Sequence, residues 1–152
     1  MTTEAARADI PPAVDPARVE AFAGKVLGDT TGLMTTTMAS IGDRLGLFKD
    51  LAAHGPATSA ELAERSAVDE RYAREWLSAM ASAGYLTYEP ASQRFTLPPE
   101  HVPVLAQEAG PAFFGGVHEE LVALVGLTDQ VIGAFRHGGG IPYGAYPDSM
   151  YE

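Results

Sequence analysis

The stretch TSAELAERSAVDERYAREWLSAMASAGYLTYEPASQRFTL, residues 58–97, decides the fold. Thr58 or Ser59 stands where a helix N-cap belongs, because a side-chain oxygen there can accept from an unpaired N–H of the first turn. Leu62 and Ala63 follow as its apolar positions. A turn falls around residues 66–68, and Asp69 is placed to cap a second helix carrying Tyr72, Trp76, Leu77 and Met80. Gly84 ends that helix. Residues 85–88 and 94–97 are short β-prone runs separated by Glu89, Pro90, Ala91, Ser92 and Gln93, which reads as a hairpin. Two helices and a hairpin predict a winged helix-turn-helix. The expected fold class is mainly α with a small β-hairpin, the winged helix being flanked by further helices.

Upstream, residues 1–15 contain no apolar period and read as a flexible lead-in. Residues 16–57 read as N-terminal helices. Asp15 is set to cap the first with Pro16 at its first helical position, and Val19, Phe22, Val26 and Leu27 recur at helical spacing. Gly24, Gly28 and Gly32 fall every fourth residue, so a second backbone can approach that face, either from another subunit or from within the chain. The glycines between residues 24 and 46 predict breaks or close helix contacts. Downstream, residues 98–140 read as a helical annex, with a short turn of helix at residues 100–105 and breaks near Gly115 and Gly126. Its apolar content predicts that it is not solvated all round. Gly138, Gly139 and Gly140 stop the last helix, and residues 141–152 read as a linker, with Asp148 placed as the cap of a new helix.

The 152 residues suffice for one modest core. Twenty acidic side chains against ten basic ones leave a net charge of −10, a field that repels nucleic acid and anionic lipid. Disulfides, thiolate nucleophiles and cysteine-ligated metals are excluded because there is no cysteine. The N-terminus lacks the basic start and apolar run of a signal peptide, and no stretch approaches the apolar length of a membrane helix. A cytoplasmic protein without membrane contact is expected.

A winged helix reads DNA through basic side chains on its second helix, for which Arg71 and Arg74 are the candidates here. Asp69, Glu70 and Glu75 sit beside them. Within residues 58–97 four arginines face six carboxylates, so nucleic acid is an unfavoured partner and surface ion pairing is the expected use of these arginines. The four histidines are scattered without metal-ligand spacing, and no nucleophile elbow or phosphate loop occurs, so no metal site and no catalytic residue is assigned. His118 with Glu119 and Glu120 reads either as acid-base chemistry at a pocket edge or as a polar helix face. Tyr143, Tyr146 and Tyr151 with Pro142 and Pro147 suit a cleft gripping a planar or phenolic ligand, or a linker packed on its own domain.

Four phrases, IGDRLGLFKDLA at 41–52, TSAELAERSAVDERYAREWLSAMASAGYL at 58–86, RFTLPPEH at 94–101 and IPYGAYPDSMYE at 141–152, give the chain a likeness to one family. In their order it resembles the N-terminal part of bacterial class I S-adenosylmethionine-dependent methyltransferases with a winged-helix front domain. The resemblance implies a front domain that forms a homodimer through the helical region at 19–47 and covers a small-molecule substrate, with Tyr143, Tyr146 and Met150 on the substrate side. It further implies that S-adenosylmethionine binds a separate Rossmann-like domain, whose glycine-rich loop and ribose-holding acid have no counterpart here. The linker at 141–152 would lead towards that domain, and these residues alone would be inactive. The competing reading is a stand-alone winged-helix regulator that binds DNA as a dimer through Arg71 and Arg74.

Overall fold

The computed structural model describes residues 14–146. The expected lead-in, apart from its last two residues, and the expected cap at Asp148 lie outside that range, as does Met150. Seven α-helices and one two-stranded antiparallel hairpin are present among the described residues. The chain divides into two units, residues 1–32 and 33–152.

The described part of the first unit belongs to α1 (Pro16–Arg44). Asp15 accepts from the Ala17 N–H at 2.9 Å, as its position predicted. Lys25 and Asp29 pair one turn apart at 2.6 Å. Val19, Phe22, Val26 and Leu27 are all exposed. A Cβ added at Gly24, Gly28 or Gly32 would meet nothing within 4 Å. Those glycines do not break the helix either, since a single glycine costs only about 1 kcal/mol against a continuous hydrogen-bond ladder.

The second unit holds the core. After α1 the chain turns through Gly46, at φ 69°, into α2 (Leu47–His54). Next come α3 (Ser59–Ser66) and α4 (Glu70–Ser82), both capped as the sequence predicted. Thr58 and Glu61 form a full capping box, in which Thr58 Oγ1 accepts from the Glu61 N–H at 3.3 Å and the Glu61 carboxylate accepts from the Thr58 N–H at 2.8 Å. Asp69 accepts from the Arg71 N–H at 3.0 Å. At the end of α4, Gly84 takes φ 79°, the Gly84 N–H donates to Ala81 and the Tyr85 N–H donates to Met80, which is a Schellman closure.

The wing consists of β1 (Thr87–Glu89) and β2 (Arg94–Thr96), with Tyr88 opposite Phe95. Its first strand begins two residues later than predicted, because the N–H groups of Tyr85 and Leu86 are already taken by the Met80 carbonyl. A contact that the sequence did not reveal adds a third segment: Ala57 and Phe95 exchange both backbone hydrogen bonds, at 3.0 and 2.8 Å. Arg94 reinforces it, donating to the Pro56 carbonyl at 2.7 Å and to Glu61 at 2.6 Å.

The core reaches well outside residues 58–97. Ala39, Leu47, Phe48 and Leu51 on one side and Leu105 on the other pack with Leu62, Trp76, Leu77, Met80 and Phe95. Trp76 is the joint between α1 and α4, for its indole N–H donates to the Met38 carbonyl at 2.9 Å and its ring meets Phe48 edge-on with centroids 4.9 Å apart. Gly42 makes room for that ring. A Cβ there would lie 2.7 Å from Trp76 Cε2. Asp50 on α2 and Arg65 on α3 form a two-pronged pair, with Arg65 Nε and Nη2 at 2.9 and 2.6 Å from Oδ1.

A short 3₁₀ turn at Pro99–His101 leads into α5 (Val102–Leu105). The annex is α6 (Gly115–Gly126) and α7 (Thr128–His137), broken near Gly115 and Gly126 as predicted. Its burial differs from expectation. Val117, Leu121, Leu124, Val125 and Ile132 are exposed and Phe135 is 89% exposed, because α6 and α7 offer more apolar surface than they cover on each other. Three glycines at positive φ, Gly138 to Gly140, then close α7.

Candidate functional site

The Schellman closure of α4 brings Tyr85 beside the turn that carries His101. The carbonyl of Tyr85 can only accept, so the 2.8 Å contact to His101 Nδ1 makes that nitrogen the donor. A neutral ring then keeps Nε2 as an acceptor. Phe114 is attached to α5 by its N–H, which donates to the Val104 carbonyl at 2.9 Å, and it precedes the first turn of α6. One turn further on, His118 is only 7% exposed. Tyr85, His101, Val104, Leu105, Phe114 and His118 thereby wall a cavity of about 320 Å³ beside the end of α4.

Asp43, on the last turn of α1, stands against the start of α6. A Cβ at Gly115 would fall 2.8 Å from its Cγ, so the absence of a side chain at Gly115 admits the carboxyl group. Asp43 Oδ1 is buried without a hydrogen-bond partner. Burial pushes the Asp43 carboxyl above the ordinary range, opposed by Lys49, reinforced by Glu108, opposed again by His118 and reinforced by Glu119. His118 moves the other way. Burial lowers its affinity for a proton, against a smaller pull from Asp43, which favours the neutral ring.

The expected trio of His118, Glu119 and Glu120 is therefore not a unit. His118 is buried, Glu119 half-buried and Glu120 exposed. A polar helix face does not describe His118, whereas a pocket edge does. Tyr143 and Tyr146 have ring centroids 6.5 Å apart and are not among the cavity walls. Arg71 and Arg74 are exposed on α4, and Arg74 is held by Glu70, which also takes the Ser59 hydroxyl at 2.6 Å. Together these two partners hold the Glu70 carboxyl at about 2. No group of three potential metal ligands is found among the described residues. Sequence reasoning missed the pairing of His101 with His118, which are 17 positions apart and carry no shared period. The only signal was an imidazole at the start of a largely apolar helix, beside Glu119 and Glu120.

Residues 33–107 match the family model described as the Rv2258c-like winged HTH domain. These residues form a winged helix-turn-helix domain. The match reaches back into α1 and forward through α5, the same span over which the core of the winged domain is shared. No curated protein matches the chain in sequence. Among solved structures, the mitomycin 7-O-methyltransferase MmcR is similar with a TM-score of 0.63 and 21% identity, over 80% of this chain and 36% of that one. PigF with SAH is similar with a TM-score of 0.61 and 21% identity, over 72% of this chain and 32% of that one. Human N-acetylserotonin methyltransferase in complex with SAM gives a TM-score of 0.61 at 18% identity, over 93% and 43%. The chain thus spans about a third to two-fifths of the length of these proteins, and at such identities the likeness is one of fold.

Proposed function

We propose that these residues are the non-catalytic front domain of an S-adenosylmethionine-dependent O-methyltransferase, pairing two copies and covering a small-molecule substrate held largely elsewhere. The observation that carries this reading is the similarity to several O-methyltransferases over only about a third to two-fifths of their length. Methyl-donor binding is not assigned to any described residue. Among the described residues the only sheet is the two-stranded wing, and Gly138 to Gly140 close a helix instead of opening one, so no strand, glycine loop and helix N-terminus are arranged there to receive a dinucleotide-like ligand. Pairing is supported by the exposed apolar stripe Val19, Phe22, Val26 and Leu27, which a second copy would cover. Tyr143 and Tyr146, with Met150, remain the proposed substrate-side residues.

Sedimentation of the chain over a range of concentrations tests this, with a dimer expected and Phe22→Glu combined with Leu27→Glu expected to yield monomer. Calorimetry with S-adenosylmethionine is expected to give no binding heat. A monomer at every concentration, or clear donor binding, overturns the reading. Stand-alone DNA recognition is the weaker alternative, because Glu70 occupies Arg74 and carboxylates outnumber arginines across the winged region.

A further inference from the structure

The cavity beside the end of α4 joins three properties. Its lining is largely apolar, from Val104, Leu105, Phe114 and the ring of Tyr85. Its titratable members are imidazoles. His118 is buried, and among the described residues no hydrogen bond reaches either of its ring nitrogens, its nearest aromatic neighbour being Phe114 at a centroid distance of 6.0 Å. An imidazole in a cavity wall whose nitrogens make no protein hydrogen bond is free to pair with a donor that enters the cavity.

We propose that this cavity binds a small neutral aromatic molecule carrying one hydrogen-bond donor, phenol being the simplest, with the donor on the imidazole of His118 and the ring against Phe114. His101 supplies a second acceptor in the same wall, since its Nδ1 is committed to Tyr85. Charge selects against anions. Asp43 stands against Gly115 at the start of α6, whose first turns also carry Glu119 and Glu120, and the chain as a whole carries −10. Size sets the other limit, because about 320 Å³ accommodates one ring with modest substituents. The site stands on these residues alone and does not depend on the proposed front-domain role.

Phenol, toluene and benzoate, titrated separately into the intact chain with the imidazole signals followed by NMR, test it. Phenol is expected to shift the ring signals of His118 and His101 and to bind roughly tenfold more tightly than toluene, the effect of one hydrogen bond to a buried acceptor. Benzoate is expected to bind more weakly than phenol. His118→Phe, with folding verified by Trp76 fluorescence, should reduce the preference for phenol over toluene to what His101 alone supplies. Unmoved histidine signals, equal affinity of the wild-type chain for phenol and toluene, or benzoate binding as tightly as phenol would each overturn the assignment, and none of these needs the variant to fold.

Discussion

Trp76 and Gly42 depend on each other. The indole can donate to Met38 only because the helix facing it carries no side chain at residue 42. Trp76→Phe is expected to cost about 1–2 kcal/mol, chiefly the lost hydrogen bond and part of the edge contact with Phe48. Gly42→Ala forces a methyl group into the ring and is expected to cost about 1–3 kcal/mol. Urea denaturation followed by circular dichroism measures both. His118 supplies a pH effect with a definite sign. Its folded pKa is depressed, so the unfolded chain takes up its proton first, and stability should fall as pH drops through the ordinary imidazole range before levelling below the folded value. Asp43 acts in the opposite sense at lower pH: its raised folded pKa makes stability fall as pH climbs from the ordinary carboxylate range through the raised value. Melting temperature against pH should lose the first feature in His118→Phe and the second in Asp43→Asn.

At the scale of elements, the helix-turn-helix was legible because each signal is local. A capping box needs four consecutive residues, and Thr58 with Glu61 provides it; Asp69 and Gly84 mark the two ends of α4 in the same way. Gly84→Ala is expected to cost about 1 kcal/mol, as alanine must take a left-handed backbone angle, and thermal melts can measure the loss. The wing was legible only in outline. Its late start follows from hydrogen bonds at the end of α4, and its third segment joins Ala57 to Phe95 across 38 positions, beyond any local period. Arg94 supports that junction instead of facing a DNA backbone. Glu61 is held below the ordinary carboxylate range by the Thr58 N–H first and Arg94 second, so Arg94→Met should raise its titration only part of the way, as carboxyl NMR would register.

For the molecule as a whole, charge and exposed apolar surface set the behaviour. The winged region has fewer arginines than carboxylates, and the chain carries −10, so duplex DNA should give no mobility shift even at low salt, with Arg71→Ala and Arg74→Ala changing nothing. Detection of a shift weakened by those substitutions would restore the DNA-reading alternative. The same fold that reads DNA elsewhere is therefore expected to serve here as scaffold. No described helix is long and apolar enough to cross a membrane, and α1, α6 and α7 carry most of the exposed large apolar side chains.

By itself the sequence determined the ends of α3 and α4, the presence of a hairpin and the unfavourable charge for phosphate, because capping, turn chemistry and net charge depend on neighbours in the chain or on simple counts. Only the tertiary structure decided that Trp76 rests on Gly42, that Arg94 braces the wing, that the annex leaves most of its apolar residues uncovered, and that His101 and His118 share one cavity. Each of those depends on which distant residues the packing of helices brings together, and burial, which sets the protonation of His118 and Asp43, exists only once that packing has formed.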